Sequence, residues 1–84
     1  MMIVELIDGD DFRSRLVDLG VAIPDGACPE TCARMARRKY LEVGVPGLEE
    51  VVTELMSKTD VMLPSVRRAI EAHLLPMLSL PRSS

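Results

Sequence analysis

Residues 29–44 read PETCARMARRKYLEVG, and this stretch decides the fold because its spacing is that of an amphipathic helix. Pro29 suits a first helical turn, where its missing N–H had no intrahelical partner to lose, and Glu30 complements the positive end of the helix dipole. Cys32, Met35, Ala36, Tyr40 and Val43 recur at steps of three and four, which predicts one apolar stripe. Gly44 supplies a left-handed stop. Arg34, Arg37 and Arg38 fall on the opposite face, with Lys39 at its edge.

Working toward the C-terminus, Pro46 and Gly47 punctuate the chain. Leu48, Val51, Val52 and Leu55 then mark a third helix that carries Glu49, Glu50 and Glu54. A last helix starts near Pro64-Ser65, with Val66, Ala69, Ile70, Leu74 and Met77 on one side and Pro76 expected to end or kink it. Toward the N-terminus, Ile23-Pro24-Asp25-Gly26 reads as a turn. A first helix is predicted over 10–19: Asp8, Asp10 and Asp11 favour its start, Phe12, Leu16 and Leu19 its inner face, and Gly20 its end.

Met1–Ile7 (MMIVELI) is a short Ile- and Val-containing run bounded by Asp8-Gly9-Asp10, which predicts a β-strand. Val21–Ile23 is barely long enough to pair with it, so a second copy of the chain or a target protein is a candidate partner for this strand, and self-association through Ile3, Val4 and Leu6 in a homodimer is the simplest way to cover its edge. The predicted fold class is mainly α: a compact bundle of about four short helices preceded by one short N-terminal β-strand able to pair between subunits. Residues 1–80 are expected to form a single small domain and 81–84 a loose tail.

Apolar side chains make up 48% of the 84 residues, yet there is one Phe, one Tyr and no Trp. A domain of this size buries only about 60–65% of the surface its unfolded chain exposes, so part of this aliphatic content is expected at an interface. A net charge of −3 disfavours a general phosphate-binding role. The charge is segregated: seven acids precede Thr31 against Arg13 and Arg15, whereas Arg34, Arg37, Arg38 and Lys39 crowd together. No apolar run approaches the length of about 18 residues that spans a bilayer, and the N-terminus lacks a secretory pattern, so the expectation is a cytoplasmic protein with free thiols and no membrane contact. With a lone His73 and no nucleophile arrangement, neither an enzyme nor a cofactor is expected.

The leading expectation is therefore a small interaction protein, such as an adaptor, inhibitor or assembly factor. It would bind another protein through an apolar helical face and a charged rim. Arg34, Arg37 and Arg38 supply the rim, and Val61, Met62 and Leu63 form an apolar triplet in a connection that something must cover.

A second reading starts from Ser65-Val66-Arg67-Arg68-Ala69-Ile70, which resembles the recognition helix of helix-turn-helix regulators. The resemblance implies a dimeric DNA-binding regulator with Arg67 and Arg68 on the reading helix and Arg34, Arg37 and Arg38 on backbone phosphates. Against it stand the acids of the preceding helix, which repel a phosphate backbone. A third reading takes Cys28 and Cys32, at the start of the second helix, as a redox pair or two soft metal ligands. A three-residue gap departs from the Cys-x-x-Cys spacing of redox enzymes, and a structural zinc site wants four ligands.

Overall fold

The computed structural model of the chain describes residues 6–78. Helix α1 spans Gly9–Asp18, α2 Pro29–Glu42 and α3 Leu48–Met56. After a 3-10 turn at Thr59–Val61, a last helical stretch runs without a break through α4 (Pro64–Ala69), a π-helical segment (Ile70–Leu74) and α5 (Leu75–Leu78). The described residues are thus mainly helical, with four helical stretches among them.

The helix ends follow from local chemistry. The Asp8 carboxylate accepts a hydrogen bond from the Asp11 backbone N–H at 3.0 Å, and Asp10 and Asp11 occupy the first turn of α1. α2 opens on Pro29 and closes at Gly44, whose φ of +86° lets its N–H reach the carbonyls of Lys39 and Tyr40. Gly47, immediately before α3, is required on two counts. Its φ is +88°, and a Cβ there would lie 3.1 Å from the end of the Leu19 side chain.

α2 is the hub, packed against α1, α4 and the π segment. The inner face it presents is made of small side chains, Cys32, Ala33 and Ala36, all fully buried. Small residues let neighbouring backbones approach closely, and the larger Phe12 and Leu16 of α1 and Val66, Ile70 and Leu74 of the last stretch fill the space around them. Leu48, Val52 and Leu55 of α3 join the same core, as do Val21, Ile23 and Val45 from the connections. Each fully buried leucine supplies about 1.5–3 kcal/mol of transfer free energy.

Two side chains fix the long connection between α1 and α2. Arg13 donates from Nε to the Pro24 carbonyl and from Nη2 to the Ile23 carbonyl, both at 3.0 Å, and pairs with Asp25 at 2.7 Å. Lys39 reaches back from α2 to the Gly20 carbonyl. Val21 and Ile23, read from sequence as a possible extended partner, are instead loop anchors buried in the core.

Three expectations are corrected. First, the predicted N-terminal strand is not supported: Met1–Glu5, including Ile3 and Val4, lie outside the described residues, and the described remainder makes one isolated parallel bridge, Ile7 to Met62. The Ile7 N–H donates to the Val61 carbonyl at 2.7 Å, and its carbonyl accepts from the Leu63 N–H at 3.0 Å. At Ile7, therefore, the backbone is satisfied within the chain and not by a second copy.

Second, of the two outcomes expected at Pro76, an end or a kink, the helix end does not occur: Pro76 sits inside α5, directly after the π segment. A helical proline collides with the carbonyl four residues earlier, here Ala72. That carbonyl lies in the widened π turn, where Leu75 N–H bonds to the Ile70 carbonyl, so the chain passes through Pro76 instead of stopping. The wider turn also serves the core. Steps of four drift by about 40° in a regular α-helix, and the π segment offsets part of that drift so that Val66, Ile70, Leu74 and Leu78 all face inward.

Third, Val43 is not on the inner stripe of α2: it caps the helix and is 76% exposed. The expected aliphatic surplus is also smaller than composition suggests. Among the described residues the large hydrophobics left exposed are Leu6, Val17, Leu41 and Val43.

Candidate functional site

The surface of interest is the outward face of α2. Helical geometry places Arg34, Arg37, Arg38 and Leu41 at steps of three and four, away from Cys32, Ala33 and Ala36. Leu41 is 62% exposed on this face, and Val43 follows it at the end of the helix. Arg38 pairs with Glu42 at 3.4 Å, one turn along. Among the described residues, Arg34 and Arg37 make no ion pair. The expected basic rim therefore exists as a face, with an apolar residue in it.

Two open grooves flank this face and meet at His73. One, of about 560 Å³, is lined by Arg34, Arg37, Arg38, Met35 and Leu41 and reaches His73 on the π segment. The other, of about 420 Å³, runs from His73 past Arg68, Ala69 and Ala72 to Ser65 and Cys28. His73 Nε2 lies 3.9 Å from the Glu30 carboxylate. His73 thus lies within the π segment that precedes Pro76, at the seam between α2 and the last helix.

The triplet Val61, Met62 and Leu63 lies elsewhere. Met62 is buried in the core, and Val61 and Leu63 are half-buried against it with Ile7 bonded across them. The cover that this triplet called for comes from the same chain. Leu6, beside it, is half exposed.

Arg67 and Arg68 do not share a face. Adjacent helical residues point about 100° apart; Arg67 pairs with Glu71 at 3.2 Å, while Arg68 borders the groove with Cys28 and His73. The connection between α3 and α4 is seven residues long, Ser57 to Leu63, against about three or four in a helix-turn-helix. Glu54 of α3 is engaged with Arg15 and Lys58, each at 3.4 Å.

Cys28 and Cys32 are both free and differ in environment. Cys28 is exposed just before α2, with the Thr31 hydroxyl 3.2 Å from its Sγ. That hydroxyl first, and then the backbone N–H groups of the opening turn, hold the Cys28 thiol below its ordinary pKa. Cys32 is fully buried with Sγ directed at the Ala27 carbonyl, and burial pushes its thiol up. Among the described residues no three His, Cys, Asp or Glu side chains come together as a metal site, and no helix is long and apolar enough to cross a membrane.

Comparison of the chain with protein-family models, with curated proteins and with solved structures returns no match. The surface itself is what speaks to function. Sequence reading found its arginines but missed Leu41 and the placement of His73. The signal for Leu41 was present: an apolar residue seven positions after Arg34, on the face otherwise given to charge.

Proposed function

We propose that this protein is a small, non-catalytic interaction module, an adaptor, inhibitor or assembly factor, that docks another protein on the outward face of α2. The observation that carries the reading is the pairing of Leu41, 62% exposed, with Arg34 and Arg37, which lack ion-pair partners among the described residues. A single exposed leucine on a monomer is ordinary. Here it lies in a groove beside Met35, is followed by an exposed Val43, and is ringed by arginines. Arg and Met, both present around Leu41, are enriched at protein interfaces relative to the rest of a protein surface.

The test is affinity capture from nuclease-treated lysate with three baits: wild type, Leu41→Asp, and Thr53→Asp as a control on the exposed side of α3. The reading expects a protein held by wild type and by the Thr53 variant and lost by the Leu41 variant. Equal retention on all three baits would refute it.

A further inference from the structure

The two grooves that meet at His73 have a common charge, and that charge specifies an occupant. Their arginines are Arg34, Arg37, Arg38 and Arg68. The acids in the same lining are Glu30 and Glu42, so four arginines face two carboxylates; Glu42 pairs with Arg38 at 3.4 Å, and Glu30 lies 3.9 Å from His73 Nε2. Arg34, Arg37 and Arg68 are left without ion-pair partners among the described residues, on a chain whose overall charge is −3. The field over this furrow is thus opposite in sign to that of the whole molecule, which both steers an acidic partner to it and turns the partner away from the rest of the surface.

The furrow also has a shape. It follows the seam between α2 and the α4–π stretch, which pack against each other along their length. A seam between two packed helices is the natural bed for a third helix. Its floor is apolar, with Met35 and Leu41 at one end and Ala69 and Ala72 at the other. From Arg34 to Leu41 along α2 is about 10 Å, and the second groove extends the track past His73, so several helical turns of a partner fit in contact.

We infer that the furrow binds an acidic amphipathic helix of a partner protein, its apolar side on Leu41 and Met35 and its carboxylates on Arg34, Arg37 and Arg68. This rests on the docking reading above and names the partner's chemistry. A protein is favoured over nucleic acid because the apolar part of the lining is aliphatic, no Phe, Tyr or Trp lines it and His73 is the single ring available for base stacking, and three spare arginines are few for a phosphate backbone.

The test uses the full chain, labelled with nitrogen-15, and three designed helical peptides of about 18 residues, roughly five turns. All share one leucine face and differ only in carrying Glu, Gln or Lys beside it; a duplex DNA serves as a fourth probe. The Glu peptide is expected to perturb backbone signals along 34–41 and 68–73 and to bind at least about tenfold tighter than the Gln peptide at low salt, the advantage shrinking as salt rises. The double variant Arg37→Glu with Arg68→Glu, both exposed positions, should reverse the order so that the Lys peptide wins. An equal affinity of Glu and Gln peptides on the same residues would overturn the charge assignment and leave the docking reading standing. Perturbation elsewhere on the surface, or no binding by any peptide, would overturn the furrow itself, with the Leu41→Asp capture experiment deciding the docking reading separately. Tighter binding of the DNA than of the Glu peptide at the same signals would replace the acidic helix by nucleic acid.

Discussion

Replacing Arg13 with Met removes the clamp that holds the α1–α2 connection. Its size can be worked out from its parts. A hydrogen bond from a charged donor has a net value of about 1.5–3 kcal/mol when sheltered and less when wet. The bond to the Ile23 carbonyl is partly buried and falls within that range at about 2 kcal/mol; the bond to the Pro24 carbonyl is exposed and adds about 0.5–1 kcal/mol. The ion pair adds little, because the Asp25 side chain is 97% exposed and solvent screens it. The expected loss is about 2.5–3 kcal/mol, or roughly 10–24 °C in Tm for a chain of this length. Urea unfolding followed by circular dichroism measures it, with the transition slope unchanged. Asp25→Asn should cost less than about 0.5 kcal/mol. A stability of Arg13→Met within about 0.5 kcal/mol of wild type, or an Asp25→Asn loss equal to it, would refute the view that the carbonyl bonds, not the ion pair, make the clamp.

Three other perturbations follow from the same geometry. Gly47→Ala meets a positive φ and the Leu19 side chain at 3.1 Å and should lose about 1–2 kcal/mol, whereas Gly26→Ala, at a positive φ with nothing within 4 Å, should lose about 1 kcal/mol; thermal unfolding compares them, and equal losses would show that the Leu19 contact is relieved freely. Asp8→Ala removes the bond to the Asp11 N–H and should cost about 1 kcal/mol, with Asp8→Asn recovering most of it. Cys28 should alkylate much faster than Cys32 in the folded protein, since the thiolate is the reactive form and the two shifts run in opposite directions. A lowered pKa means that the Cys28 rate reaches its plateau at lower pH than an ordinary thiol, and Thr31→Val should move that profile upward; peptide mass mapping against pH reads both, and an unmoved profile would remove Thr31 from the account.

The parts of the fold that were legible in the sequence are those set within a turn or two of chain. Pro29 and Gly44 bound α2 as expected, Gly20 ends α1, and the spacing of Leu48, Val52 and Leu55 gives the buried face of α3. Asp8 was readable as a helix starter for the same reason. What failed depended on distant partners. The strand reading of Met1–Ile7 rested on composition alone, and the described end of that segment meets Met62, more than fifty positions away, in a single bridge. Lys39 looked like the edge of a basic face, but its length lets it turn back to Gly20. Pro76 was read by the rule for a regular α-helix, which a π turn relaxes. At the candidate site the arginines were visible because charge at steps of three and four is a local pattern. Leu41 was not, because an apolar residue on a charged face is overlooked when the search is for an inner stripe. His73 could be placed at the seam only once the π turn and the packing of α2 were known.

Leu41 is proposed to touch another protein in the cell. Placing a photo-activated cross-linking side chain at position 41, and in a parallel strain at the exposed Thr53 of α3, tests it with the fewest intervening assumptions. One discrete adduct, larger than the chain itself, is expected from position 41 and none from position 53. No adduct at 41, or the same set of adducts from both positions, would contradict it.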